Sequence, residues 1–344
     1  MKLPFDLGVK LIFRLLLPGF LLMLGVRPIL LTLADASGAS AYNDVVCVVA
    51  ALILGWVVTL LDMPIYMLFE GRRFWPHALW ELGVRRETAR LQRWRERERS
   101  HYNRSLIDPN PIHRRRYEEA SVELRRFPLD EATGEYTAAF PTRFGNAVTA
   151  FEQYPYTRYG ADAIFFFPRV WSTLDKDARE ELDTQQALAD SALYSSVAVC
   201  VTGLLWISYL AVPWVYPGLR YTATPRVALL IGAAGLLSSA ALYRAAIHVN
   251  DQFGSAFRAV FDMRLASVRK QLLARDGVLG LVAELTGEST ANAPLRDQYK
   301  IVWRYLQNYR VKCPACGLVV PPPRFASHSC APSIASDRDA AARA

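Results

Sequence analysis

The chain predicts an all-α membrane protein: two transmembrane helical hairpins extended by a cytoplasmic helical bundle, with a small C-terminal zinc module. Three observations carry that reading. Apolar runs of about twenty residues, enough to cross a hydrocarbon core of roughly 30 Å as a helix, occur in two pairs. Arginine crowds the stretch after the first pair, while the short loops inside the pairs are poor in it. Three of the five cysteines fall near the C-terminus together with a histidine.

Composition sets the bounds. A length of 344 residues gives room for two or three structural units. The hydrophobic share of 52% is high for a soluble protein, yet 21% charged residues keep much of the mass in water. The formal charge is +8, and in a membrane chain a basic surplus first implies basic loops held on the cytoplasmic side. Nucleic acid ranks last among the partners this charge suggests.

The first span lies within residues 1–34, where Lys2, Lys10 and Arg14 precede an apolar run. A cleaved signal peptide also starts basic, but Arg27 interrupts the run and its length favours a retained span. Residues 45–69 form the second span, which contains Asp62 and Pro64. On this register Arg14 and Asp62 lie at similar depth, and an intramembrane Arg14–Asp62 pair is expected because ionised groups there seek partners. Arg27 reaches the outer headgroups by snorkelling. The third and fourth spans are residues 193–212 and 227–249. In lipid each backbone N–H and C=O must be satisfied within its own segment, so each span is read as a helix. Gly235 and Ser239, four apart in the fourth span, suit close approach of another helix. Cys47 and Cys200 read as small apolar fillers.

Residues 35–44 contain no Lys or Arg, and the loop between the third and fourth spans has only Arg220 and Arg226. The positive-inside rule then places residues 70–190 and both termini on the cytoplasmic side of the membrane. The domains expected are a first hairpin at 1–69, a helical insert at 70–190 and a second hairpin at 191–249. Cytoplasmic helices follow at 250–312, then the zinc-finger-like module at 313–331 and a disordered tail at 332–344.

Within the insert, Tyr117, Ser121, Leu124 and Phe127 recur at helical spacing and stop at Pro128. Phe144, Val148 and Phe151 do the same, with Thr142 as the candidate cap. From Asp175 no Gly or Pro intervenes before the third span, so one long helix is expected to pass from water into lipid. Phe253, Phe257, Phe261, Leu265, Val268 and Leu272 form a further stripe, read as contact with the other cytoplasmic helices. A last helix is expected at residues 295–311, opened by Pro294.

The clearest chemical signal is "CPACGLVVPPPRFASHSC". Cys313, Cys316, His328 and Cys330 offer three sulfurs and an imidazole, a set suited to tetrahedral zinc. Four protein ligands close the site, so the zinc is structural, and a reducing cytoplasm keeps the thiols available. The last pair is closer than the usual H-x3-5-H, which leaves the finger subtype open.

The second signal is "PTRFGNAVTAFEQYPYTRYGADAIFFFPRVWSTL", which interleaves aromatics with charge. Arg158 or Arg169 is expected to pair with Glu152 or Asp162 in a partly buried network with Tyr154 and Tyr159. The functional alternative is a ligand pocket or an acid/base pair built on Asp162, Glu152 and the tyrosines. This segment, with its RFGN, YP, RYG, DA and PR elements in order, resembles a family of uncharacterised bacterial multi-pass membrane proteins. The likeness covers about a tenth of the chain closely, and it implies an architecture but no activity.

No phosphate-binding glycine loop, dinucleotide fingerprint, G-x-S-x-G or H-E-x-x-H is present. The function expected is a non-enzymatic membrane scaffold or sensor. Its cytoplasmic bundle and zinc module would bind a partner protein, and a homo-oligomer is a further option. An oligomeric channel or pore-forming effector is the first alternative, and a membrane enzyme ranks below it.

Overall fold

The computed structural model describes residues 12–36, 43–108, 110–130, 133–211, 224–273, 311–312 and 319–320. Among these residues almost everything is helical. The chain divides into two compact units: Met1–Gln153 with Asp175–Ala259, and Tyr154–Leu174 with Val260–Ala344.

In the first unit a π-helical turn, Ile12–Leu16, leads into α1 (Leu17–Ala36), which packs against α2 (Asn43–Leu60). Two glycines set their spacing. A Cβ on Gly19 would lie 2.1 Å from the Ala51 carbonyl oxygen, and one on Gly55 would lie 2.1 Å from that of Leu15. The second apolar stretch does not continue as one rod. It ends at Leu60 and restarts as α3 (Asp62–Glu70), bent by 58°. Pro64 has no N–H to give the Leu60 carbonyl, and this missing bond falls at the bend.

The helix expected after Asp175 runs unbroken as α9 (Lys176–Ser208), capped by the Asp175 carboxylate, which accepts from the Ala178 N–H at 2.9 Å. It also packs on α1. Thr202 Oγ1 donates to the Leu21 carbonyl at 2.7 Å, and the Tyr209 hydroxyl donates to that of Gly25 at 2.6 Å. These hydroxyls sit within apolar helices, where unmet polar groups are costly. The fourth apolar stretch belongs to α10 (Pro225–Leu273), 49 residues long. The stripe that begins at Phe253 is thus the continuation of the span and not a separate helix. Gly235 is a point of close approach: a Cβ there would meet Gly203 Cα of α9 at 2.9 Å. One turn further on, Ser196 Oγ donates to the Ser239 carbonyl at 3.0 Å.

Three helices are long and apolar enough to cross a membrane, and a fourth span exists if α2 and α3 count as one. Their outer faces carry large apolar side chains such as Val48, Trp56, Leu60, Leu230 and Leu237, the last 73% exposed. A continuous surface of this kind is adverse in water and natural in lipid.

The remainder of the first unit is polar outside and aromatic within. The helix α4 (His77–Ile107) pairs with α5 (Pro111–Leu124), which starts with Asn110 as cap and Pro111 at its first position. Leu91, Leu124 and Phe127 form their core, with Trp94 and Tyr136 packed against it. Higher up, the Tyr102 and Tyr117 rings lie 5.5 Å apart. Between α5 and α6 (Arg143–Glu152) the chain makes one isolated bridge, Leu129 to Tyr136. Thr142 caps α6 as expected, accepting from the Gly145 N–H at 2.9 Å. The three aromatic and aliphatic residues of the α6 stripe, Phe144, Val148 and Phe151, are buried. Phe151 meets Phe253 and Phe257 edge-on at 5.7 and 5.4 Å.

The second unit holds α7 (Tyr154–Tyr159), α8 (Ala163–Ser172), the end of α10, and a short ladder of β1 (Val311–Lys312) with β2 (Val319–Val320). Val311 faces Val320 and Lys312 faces Val319 in antiparallel register. The helix expected at 295–311 lies outside the described residues except for Val311, which is in a strand. The expected tail at 332–344 also lies outside the described residues.

Gly19→Ala is expected to force α1 and α2 apart and to cost about 1–3 kcal/mol. The check is the thermal unfolding midpoint of the detergent-solubilised chain; an unchanged midpoint would remove this contact from the packing argument.

Candidate functional site

Three polar assemblies stand out among the described residues, and the apolar spans hold the first. Asp190 of α9 is 3% exposed. Its carboxylate bonds the Arg14 guanidinium from the π-helical turn and the Tyr66 hydroxyl from α3. One helical turn on, the Tyr194 hydroxyl donates to Asp62. The i, i+4 spacing of Asp190 and Tyr194 puts both on one face of α9. The Arg14–Asp62 pairing expected from sequence is therefore replaced by Arg14–Asp190 and Asp62–Tyr194. The 58° bend at Leu61 re-aims α3, and α9 supplies the nearer partners.

Asp190, Tyr66 and Tyr194 were not singled out from the sequence. The available signal was an acidic residue one turn before an apolar span, with a tyrosine on the same face. With one arginine and two aspartates, the cluster has one formal negative charge, softened by two hydroxyl donors. Such an arrangement fixes helix rotation, and its groups are also of the kind that bind protons or cations.

The second assembly joins α4, α5 and α6 to α10. Arg143 Nε lies 3.9 Å from Glu87. From Glu87, contacts run to Arg90 at 3.0 Å and on to Glu123 at 2.7 Å. Glu123 pairs with Arg126, whose guanidinium also lies 2.5 Å from Asp251 of α10. A shorter link binds α3 to α6. Arg72 bridges Glu70 at 2.6 Å and Glu152 at 2.7 Å, and its cation sits 5.3 Å from the Phe140 ring centroid. The "RFGN" residues serve this junction. A Cβ on Gly145 would lie 2.0 Å from the Glu70 carbonyl oxygen, so only glycine lets α6 approach α3 this closely. Asn146 is 1% exposed and clamps the preceding loop with three bonds. Its Oδ1 accepts from Phe140 N–H at 3.0 Å, and its Nδ2 donates to the Phe140 and Thr142 carbonyls, both at 2.9 Å.

Beside this junction opens a cleft of 560 Å³ lined by parts of α3, α4, α6, α9 and α10. Its apolar walls include Leu68, Leu236 and Ala240, and its charged groups are Arg86, Glu87 and Arg143. Burial, reinforced by the nearby Arg90, lowers Arg143 below the ordinary arginine value.

The third assembly belongs to the second unit. Tyr154 and Tyr159, at the two ends of α7, both donate to Asp262, at 2.9 and 2.7 Å. Burial and the Asp262 bond push the Tyr154 hydroxyl up to about 12; for Tyr159 the Asp262 bond is the leading cause of a rise. Of the network expected from Glu152, Tyr154, Arg158, Tyr159, Asp162 and Arg169, the two tyrosines and Glu152 each have an identified partner. The tyrosines find Asp262, which was not among the expected partners, and Glu152 binds Arg72. Arg158 is exposed on the last turn of α7. The Asp162 carbonyl accepts the Phe166 N–H at 2.9 Å as α8 begins. Arg169 is half-buried in α8, and burial lowers its pKa.

Cys313, Cys316, His328 and Cys330 lie outside the described residues. Among those described, no three His, Cys, Asp or Glu side chains converge as for a metal.

Asp190→Ala leaves Arg14 without its counter-charge, and a loss of about 3–5 kcal/mol is expected. The Arg14→Ala/Asp190→Ala double variant is expected to recover part of that loss, because neither charge is then stranded. Thermal unfolding of the four proteins in one detergent measures the coupling, and strict additivity would exclude the pair.

No family model, curated protein or solved structure matches the chain, so its function must be argued from these residues.

Proposed function

We propose that the protein is an integral membrane scaffold or sensor of a bacterial inner membrane. Its termini are cytoplasmic, and its water-side helices and structural zinc module bind a partner protein. The observation that carries this reading is the tip of the α4–α5 hairpin. Leu106, Ile107 and Ile112 are exposed there, Ile107 to 87%. Aliphatic side chains gathered at a hairpin end, on an otherwise arginine-rich surface, suit a contact made with another protein. Below the tip, the aromatic core and the Glu87–Arg90–Glu123–Arg126 chain stiffen the hairpin, so a partner held there would be coupled mechanically to the spans.

The zinc ion belongs to the same proposal, held by Cys313, Cys316, His328 and Cys330. The β1–β2 ladder supports it by drawing together the residues on either side of the first two cysteines, as two thiolates on one ion require. The arginines of α4 support the cytoplasmic orientation. The cluster of Arg14, Asp62 and Asp190 within the spans favours a second reading, an oligomeric channel. Ion flux in liposomes that falls on Asp190→Asn would select that reading over the scaffold.

Leu106→Glu with Ile107→Glu is expected to leave stability within about 0.5 kcal/mol of the parent. Capture of the partner from native membranes should nevertheless be lost; undiminished capture would remove the tip from the proposal. Metal analysis is expected to give about one zinc per chain, reduced in Cys313→Ser. A zinc-free chain after careful purification would end the ligand assignment.

A further inference from the structure

We propose that the cleft of the first unit binds the phosphate of an anionic phospholipid from the adjoining leaflet. Arg86 and Arg143 take the headgroup, and Leu68, Leu236 and Ala240 take the start of an acyl chain. The inference rests on the membrane placement proposed above and adds a ligand to it.

Charge is the first argument. Of the three charged residues in the lining, Glu87 is engaged by Arg90 at 3.0 Å, and its distance to Arg143 is 3.9 Å. Arg86 is exposed and, among the described residues, has no ion pair within 4.0 Å. Arg86 is thus unpaired and Arg143 shares Glu87 with Arg90, so positive charge in excess borders a mostly apolar cleft, and the planar fork of arginine matches phosphate oxygens.

Depth is the second argument. The cleft opens where apolar helix gives way to charge. Leu68 and Phe69 precede Glu70 and Arg72, and Leu236 and Ala240 precede Arg244 and His248. Headgroups sit at that level in a bilayer. Trp75 belongs to the lining and donates its indole N–H to the Leu68 carbonyl at 2.7 Å, a tryptophan placement typical of the interface.

Backbone geometry is the third. Phe74 holds φ at 67°, a left-handed conformation that costs a non-glycine residue, and the residue is 67% exposed. Leu79 and Leu82, in the first turns of α4, are 52% and 64% exposed. In water a strained turn that displays phenylalanine has no evident return. Beside lipid it places an apolar anchor next in the chain to Trp75 of the cleft lining, and the acyl boundary covers it. The cleft volume of 560 Å³ suits a headgroup and is too small for a folded partner.

The test uses the full chain in an uncharged detergent. Phosphatidylglycerol, phosphatidylcholine of equal chain length and inorganic phosphate are titrated separately against the thermal midpoint. Phosphatidylglycerol is expected to raise the midpoint, while the other two at equal concentration leave it in place. Arg86→Gln with Arg143→Gln is expected to weaken the phosphatidylglycerol effect at least about tenfold. Where the double variant unfolds, Arg86→Gln alone, at an exposed position, should weaken it measurably. An equal response to phosphatidylcholine, a full response to inorganic phosphate, or an effect that survives these substitutions would overturn the site. Alkaline extraction separates the two levels of failure. A chain that washes off membranes refutes the placement, whereas a chain that stays but shows no headgroup preference refutes the lipid site alone.

Discussion

Asp190 is the constraint on which the other parts depend. A carboxylate 3% exposed within apolar helices cannot remain ionised alone, since the interior offers nothing like the solvation of water. It therefore draws Arg14 from the N-terminal turn and Tyr66 from α3, while Tyr194 on the same face of α9 answers Asp62. Apolar contact between helices in lipid is almost indifferent to rotation. These bonds are not: turning α9 by one residue about its axis would strand all of them. Close glycine contacts then set the spacing, with Gly19 and Gly55 between α1 and α2 and Gly203 and Gly235 between α9 and α10. Polar bonds choose the rotation and small residues choose the distance.

The same logic passes into the polar-faced part of the first unit. The second apolar stretch breaks at Leu61, and this turns α3 so that its last carbonyls face α6. Gly145 can touch the Glu70 carbonyl only because it has no side chain. Thr142 serves both partners, accepting from Gly145 and donating to the Phe69 carbonyl at 2.6 Å. Asn146 holds the incoming loop, and Arg72 joins Glu70 to Glu152. Along the other flank, charges alternate from Glu87 to Asp251 through arginines of α4 and the residues that follow α5. A movement of the α4–α5 hairpin would have to break this ionic chain or carry α10 with it.

Much of this was legible in the sequence where the signal is local. The cap at Thr142, the helical stripe of Phe144, Val148 and Phe151, and the long helix that starts after Asp175 depend on neighbours within a few turns. The Pro64 bend had a local signal too, but a continuous apolar run concealed it. Partner choice was less legible. Residues 14, 66 and 190 carry no common period, and their meeting follows from packing that composition does not encode. Asp262 was likewise overlooked as the acceptor for Tyr154 and Tyr159, because it lies far along the chain from the aromatic segment. Val311 shows a further limit: it was expected at the end of a helix, and its backbone pairs in a strand with that of Val320.

The distribution of compensated and uncompensated charge separates architecture from function. Asp190, Glu87 and Arg90 are buried, Glu123 and Asp251 are partly so, and each has its opposite at bonding distance. Removing any of them would first be felt as instability, so a loss of function in such a variant would say little about chemistry. Arg86 and Arg143 differ. They border a cleft, they carry charge beyond what Glu87 can neutralise, and the packing does not require the first of them. The exposed leucine and isoleucines at the hairpin tip have the same standing on the apolar side. A fold that pairs these buried charges while leaving a few arginines and aliphatic side chains exposed is best interrogated at the exposed ones, because substitutions there change what the surface can bind and leave the scaffold beneath them standing.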